Sequence, residues 1–237
     1  MIALQIIDAA AAAAPAAASL PGTPAAGGAM GTDVVRTALV LSMLAILPAM
    51  LVSMTSFIRI VIVLAMVRHA FGMPETPPNA VLVSLALFLT AFSMSPTLGP
   101  LNRDALQPLL AGQIGAEQAM ERASVPLRGF MLAQTRDADI EAIYAISNTP
   151  VPERPEEVEI LKLTPAFILN ELRVAFTIGF VILLPFLLID LVVSSILLAL
   201  GMMMVPPTTI SLPIKLLMFV LIDGWQLVLQ GVLGSFR

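Results

Sequence analysis

Apolar and polar positions divide the chain into four long apolar runs and one polar stretch. Residues 37–67 are apolar apart from a few hydroxyls and Arg59. As one helix they would run about 46 Å at roughly 1.5 Å per residue, beyond the roughly 30 Å hydrocarbon core of a bilayer. Pro48 predicts a kink within them. Residues 68–79 hold Gly72, Pro74, Pro77 and Pro78 and read as a loop. Residues 80–98 form the second apolar run, closed by Pro96 and Gly99-Pro100. These two runs read as one helical hairpin.

Residues 101–164 change character, holding more than half of all the charged side chains. Their centre, residues 116–147, is periodic at helical spacing: Met120, Leu127, Phe130, Met131, Ile140, Ile143 and Tyr144 fall on one stripe. One break is expected at Pro126, and residues 148–159 form a Pro/Glu-rich loop. The third apolar run spans residues 167–200, a turn follows at 201–207, and the fourth run covers 208–229. The pattern predicts an all-α membrane protein: two long kinked helical hairpins, at residues 34–100 and 165–237, separated by a polar extracytoplasmic helical insert at 101–164. Residues 1–33 are a low-complexity leader of Ala, Gly and Pro, read as a signal-like segment or a disordered tail.

Composition sharpens this reading. Apolar residues are 58% of the 237 and charged residues 12%, against about 45–50% and about 25% in soluble domains. Mean hydropathy is +0.96. A net charge of −4 leaves no basic footprint for nucleic acid. Without cysteine, and with His69 the single histidine, disulfides, thiolate metal sites and multi-histidine metal sites are excluded. No nucleophile sits with a base, so no catalytic residue, cofactor or enzymatic activity is expected. Ser53, Thr55 and Ser56 read as backbone-bonding or close-packing hydroxyls.

Six charges interrupt the apolar runs: Arg59, Glu171, Arg173, Asp190, Lys215 and Asp223. Each costs at least a few kcal/mol if it faces lipid, which favours pairing. Arg59 has no acid in its own hairpin, so its partner must come from the second hairpin or another subunit, with Glu171 as the leading candidate. Asp190 precedes Gly201 and Lys215 follows Pro207 by lengths that place both at similar depth, roughly 16 and 12 Å from the turn. They read as a buried pair. Glu171, Arg173 and Asp223 have the alternative of lying near water at helix ends. Glu171 and Asp190 stand about 100° apart around an ideal helix, which does not make a clear ion path. A proton-coupled secondary transporter is therefore the lesser alternative.

Met202-Met203-Met204 sits at the Gly201 and Pro206-Pro207 turn. Flexible apolar side chains at a hairpin tip could close a pore and yield to a passing chain. The plainer reading is filler against a neighbouring helix.

The same residues resemble a known family. Met54-Thr55-Ser56-Phe57-Ile58-Arg59-Ile60, Pro77-Pro78-Asn79 and Leu85-Ala86-Leu87-Phe88-Leu89-Thr90 resemble the first hairpin of the FliP/SctR family of type III export-gate proteins. Pro126-Leu127-Arg128-Gly129-Phe130-Met131 with Gln134-Thr135-Arg136 resembles its insert. Glu171-Leu172, Ala175-Phe176 and Ile178-Gly179-Phe180 match the third segment; Gly201 through Pro207, Leu212-Pro213, Lys215 and Asp223-Gly224-Trp225 match the last. Val205-Pro206-Pro207 and the Leu87–Thr90 string resemble the flagellar branch more than the injectisome branch, which stays the alternative. The resemblance implies a non-enzymatic, pore-forming subunit that conducts unfolded flagellar proteins across the inner membrane. It implies a homo-oligomer with FliQ and FliR, contacts with FlhB, FlhA and lipid, and a place in the flagellar basal body raised toward the periplasmic side. It also implies a methionine gasket around the closed pore.

Overall fold

The computed structural model describes residues 52–72 and 77–236, with isolated positions between 37 and 49. The chain divides into two units, Met1–Ala45 and Ile46–Arg237. In the first, the described positions 37, 38, 41, 42 and 45 are helical. The leader at 1–33 and the kink expected at Pro48 lie outside the described residues. Everything below concerns the second unit.

Its described regular structure is helical. In chain order it comprises α1 (Phe57–Ala70), α2 (Asn79–Ser93), α3 (Ser95–Leu101), a π-helical turn (Asn102–Leu106), α4 (Gln107–Leu110), α5 (Ala116–Gln134), α6 (Asp137–Ile146), a 3-10 turn (Pro155–Glu157), α7 (Ile160–Ala199), α8 (Thr208–Leu221) and α9 (Gly224–Leu233). By length and apolarity, α7 is long enough to cross a membrane. Two bent pairs qualify only if each is taken as one span: Asn79–Ser93 with Ser95–Leu110, bent 69°, and Thr208–Leu221 with Gly224–Leu233, bent 67°.

α7 is the spine. Its 40 residues extend about 60 Å, and α1, α5, α6, α8 and α9 all pack on it. Its buried residues, among them Leu163, Phe167, Glu171, Ala175, Gly179, Phe186, Val193 and Leu197, recur at three- and four-residue spacing and form one stripe. Two apolar cores lie along that stripe. One joins Ile60, Val63, Leu64 and Val67 of α1 to Leu82, Ala86, Ala175, Phe186, Phe219, Val228 and Val232. The other joins Met131, Ile140 and Tyr144 of the polar region to Leu163, Ala166 and Phe167.

Several breaks fall elsewhere than the sequence pattern placed them. Helix α5 runs through Pro126 without ending. A single proline removes one hydrogen bond while its fixed φ remains helical. The break comes instead at Thr135-Arg136, where both residues are extended and Arg136 O accepts the amides of Asp139 and Ile140, starting α6. α7 likewise runs through Pro165 and Pro185, and it begins at Ile160 rather than at 167. The second apolar run bends at Met94, ahead of Pro96, which then occupies the first turn of α3. That position suits proline, because its missing N–H would have no partner there. α1 continues past Arg68 to Ala70, and a turn at Met54–Ser56 precedes it. Ser53 Oγ donates to Ala49 O at 2.7 Å, Thr55 Oγ1 to Val52 O at 3.0 Å, and Ser56 Oγ meets Ser93 Oγ at 2.7 Å.

The fourth apolar run is not one helix. It ends at Leu221, turns at Ile222-Asp223 and restarts as α9. Asp223 takes a left-handed conformation, φ 51° and ψ 53°; among residues with a Cβ, Asp and Asn are those that tolerate it best. Gly224 follows because a Cβ there would lie 2.1 Å from the Phe219 ring.

Candidate functional site

Three polar constellations and one apolar loop lie along α7. The first is built on Arg59, which is 1% exposed. Its Nε donates to Glu171 Oε2 at 2.8 Å, and Nη2 reaches Glu171 Oε1, making a two-pronged ion pair. Nη2 also donates to Gln134 Oε1 at 3.2 Å, at the end of α5. Nη1 donates to Ser235 O at 3.0 Å and Ser235 Oγ at 2.8 Å. The Phe236 ring covers the guanidinium at 4.0 Å. Arginine's rigid fork suits this arrangement, since its donors diverge in one plane toward fixed acceptors. Four segments meet at one cation: α1, the end of α5, α7 and the residues after α9. Beside it, Asn170 Nδ2 donates to Gln134 O.

The second is Arg173 with Asp139. Arg173 Nη1 and Nη2 donate to the two carboxylate oxygens at 2.7 and 2.9 Å, and Arg136 Nε adds a contact at 3.2 Å. This ties α6 to α7. Arg173 is partly exposed, its side chain at 46%, but it lies inside α7 and not at a helix end, while Glu171 is fully buried.

The third is Lys215 with Asp190. Lys215 Nζ donates to Asp190 Oδ2 at 2.6 Å and to Ala70 O, at the end of α1, at 2.9 Å. The Lys215 side chain is 4% exposed and that of Asp190 38%. Asp190 Oδ1 and Ser211 Oγ are buried with no hydrogen-bond partner among the described residues. Asp223 joins no ion pair among the described residues; it forms the break between α8 and α9.

The apolar loop joins α7 to α8. Gly201 takes φ +73°, a left-handed position that closes the end of α7. Gly201 N donates to Leu198 O at 3.0 Å and Met202 N to Leu197 O at 2.9 Å. Pro206 O and Pro207 O accept the first amides of α8, from Thr209, Ile210 and Ser211. Between these fixed ends, Met203 is 83% and Met204 96% exposed, and Met202 is 44% exposed. Within this chain the methionines do not fill a gap between helices.

Spacing led to some of these residues and not to others. The two long-range pairs could be anticipated because a charge in an apolar run needs a partner. Gln134, Ser235 and Phe236 carried no such sign, being ordinary polar or apolar residues in segments of matching character. The Asp139–Arg173 bridge was missed for a different reason: Asp139 lies among many other charges of the insert.

Comparison with known proteins supplies the family. Residues 40–232 match the FliP family. A flagellar biosynthetic protein FliP of Pectobacterium carotovorum is 51% identical over 210 residues, covering 89% of this chain and 81% of that protein. The Bacillus subtilis protein of the same name is 43% identical over 205 residues, 86% of this chain and 93% of its own length. A longer one from Buchnera aphidicola is 49% identical over 203 residues; the chain spans only about half of it, 54%. The matched range takes in both cores, the charged residues Arg59, Glu171, Arg173, Asp190 and Lys215, and the methionine loop, and the chain belongs to the FliP family.

Proposed function

We propose that this chain is a pore-forming structural subunit of the flagellar type III protein export gate, passing unfolded flagellar proteins across the inner membrane. As a FliP-family member it is a membrane component of the flagellar export apparatus and not an enzyme. The finer architecture is two kinked hairpins, residues 34–100 and 165–237, around an extracytoplasmic insert at 101–164. Several copies assemble with FliQ and FliR, contact FlhB, FlhA and lipid, and stand in the basal body raised toward the periplasmic side.

The observation that carries this reading is the bare methionine loop. Met203 and Met204 project from a hairpin tip whose two ends are fixed. One such loop encloses nothing, whereas a ring of them forms an apolar collar that dewets when closed. Methionine suits such a collar. It is unbranched, polarizable and has three rotatable bonds, so it seals against itself and gives way to a passing chain. The outer faces agree with assembly. Phe176, Phe180, Leu187, Leu188 and Leu191 of α7 and Leu217, Val220 and Leu221 of α8 are all more than half exposed, an apolar extent that requires lipid or other subunits to cover it.

The test is replacement of Met202, Met203 and Met204 together by alanine. The complex should assemble and leak ions, read as membrane conductance or salt sensitivity of growth. An assembled complex with no rise in leak overturns the collar. Native mass spectrometry of the detergent-extracted protein tests the multi-copy state separately; a monomer overturns it.

A further inference from the structure

Helix α1 carries a second buried arginine. Arg68 is 9% exposed, and unlike Arg59 it joins no ion pair among the described residues. Its Nη1 donates to Asn79 Oδ1, its one hydrogen-bond acceptor among those residues. Its Nε is buried with no partner among them. At Arg59 the edge of the fork formed by Nε and Nη2 grips the two oxygens of Glu171. At Arg68 the same edge meets no oxygen of the described residues, and a buried guanidinium is costly unless an anion pairs with it.

The guanidinium stands at a helix N-terminus, because Asn79 opens α2. That end is capped by no side chain, follows Pro78 and has no acid in its first turn. The amides of Val81 and Leu82 donate to Pro78 O at 3.0 and 3.3 Å; those of Asn79 and Ala80 have no acceptor among the described residues. A helix N-terminus carries partial positive charge and outward N–H groups, which suit an oxyanion. The neighbouring C-terminus of α1 favours a cation, and Lys215 already supplies one at Ala70 O. Arg68 and the start of α2 thus converge two positive features on one point.

Beyond that point α2 is apolar on its outer side: Val81, Val83, Leu87, Phe88 and Phe92 are exposed. Its 15 residues extend about 22 Å, enough to line the roughly 15 Å of hydrocarbon in one leaflet. An anion-binding head joined to a long apolar flank is complementary to a phospholipid. A free anion would use the head alone. In the apolar regions, residues 34–100 and 165–237, the acids are Glu75, Glu171, Asp190 and Asp223. Glu171 and Asp190 are paired, and Glu75 lies outside the described residues.

We propose that Arg68 and the N-terminus of α2 form a phosphate site for a membrane phospholipid whose acyl chain lies along the apolar face of α2. This rests on residues 34–100 being a membrane hairpin with its turn at the bilayer surface, where headgroups lie.

The assembled complex, extracted in detergent and stripped of lipid, is titrated with dioleoyl phosphatidylglycerol, and bound lipid is counted by native mass spectrometry. Arg68→Gln should weaken retention of one lipid per copy of this chain by tenfold or more. Arg103→Gln, at an exposed arginine of the insert, should leave the count unchanged. Equal retention in assembled Arg68→Gln overturns the site. Glu75→Gln and Asp223→Asn should change nothing; a several-fold gain with either shows that its carboxylate occupies Arg68, from this chain or a second copy, and overturns the proposal.

A second measurement keeps Arg68 in place. The chain has no cysteine, so a fluorophore can be attached at Ser84→Cys, exposed and one turn along α2. Phosphatidylglycerol with a nitroxide on its acyl chain should quench it saturably, and unlabelled lipid should reverse the quenching. Quenching that only tracks bulk lipid overturns the site. Reversal by inorganic phosphate at the same concentration shows a free-anion site and overturns the lipid. Copy number is read from the same mass spectra: a monomer that keeps its lipid overturns the multi-copy reading and leaves this site standing, and a multi-copy complex indifferent to Arg68 does the reverse.

Discussion

Two of the three ionic contacts that join α7 to other helices, those at Glu171 and Asp190, share a chemistry and differ in construction. At Glu171 the arginine is buried, bidentate and bonded as well to Gln134 and Ser235. At Asp190 the lysine meets a carboxylate that is 38% exposed and has one oxygen without a partner among the described residues. Arginine presents a planar fork that fixes its neighbours' orientation, whereas a lysine ammonium is a point charge that can exchange acceptors. The first contact locks four segments together. The second holds one helix against the end of another. The chain thus sets a buried, multiply bonded joint and a partly exposed one on a single spine.

Removing the buried joint should have the largest effect. Arg59→Ala leaves a buried carboxylate unpaired, a loss of about 3–5 kcal/mol. The subunit should fail to enter complexes, seen as loss of the high-mass band on a native gel together with loss of motility. Normal assembly would mean that Glu171 is served by another group. Gln134→Ala is a milder break of the same joint. It removes one hydrogen bond to a charged group, worth about 1.5–3 kcal/mol, and should expose the α5–α6 junction to protease before assembly is lost.

At the partly exposed joint, Lys215→Asp or Asp190→Lys should each lower complex yield by an amount equivalent to about 1–3 kcal/mol. The double exchange should restore part of it. Additive losses in the double variant would show that the two do not act as a pair. The smallest stability effect belongs to the loop. Alanine at Met202, Met203 and Met204 should change thermal stability of the extracted subunit by no more than about 0.5 kcal/mol, as for surface sites, while conductance rises. A large stability loss there would mean that the methionines pack within the subunit as filler.

Local chemistry made much of this legible in advance. Long apolar runs dictate helices, because backbone groups out of water must bond within their own segment. Charges within those runs dictate partners, because an unpaired charge there is costly. That reasoning leads from Arg59 to Glu171 as the leading candidate and from Asp190 to Lys215 by depth. The methionine turn was equally visible, as a Gly-and-Pro-bounded triplet with no local use.

What the sequence did not determine is where each helix yields. Pro126, Pro165 and Pro185 sit inside unbroken helices, while the sharp bends fall at Met94 and Asp223. A proline removes one hydrogen bond, which packing of the helix against its neighbours can outweigh. A bend, by contrast, is set by what the next segment must reach. α9 turns away from α8 because Val228 and Val232 complete the core around α1, and Gly224 lets Phe219 close the angle. The same holds for the Arg59 cluster. Composition and spacing fixed that a cation there needed an acid, but Gln134 and Ser235 arrive from 75 and 176 positions away. Only the packed fold brings such distant neutral groups onto one guanidinium, since nothing in their own segments requires them to be there.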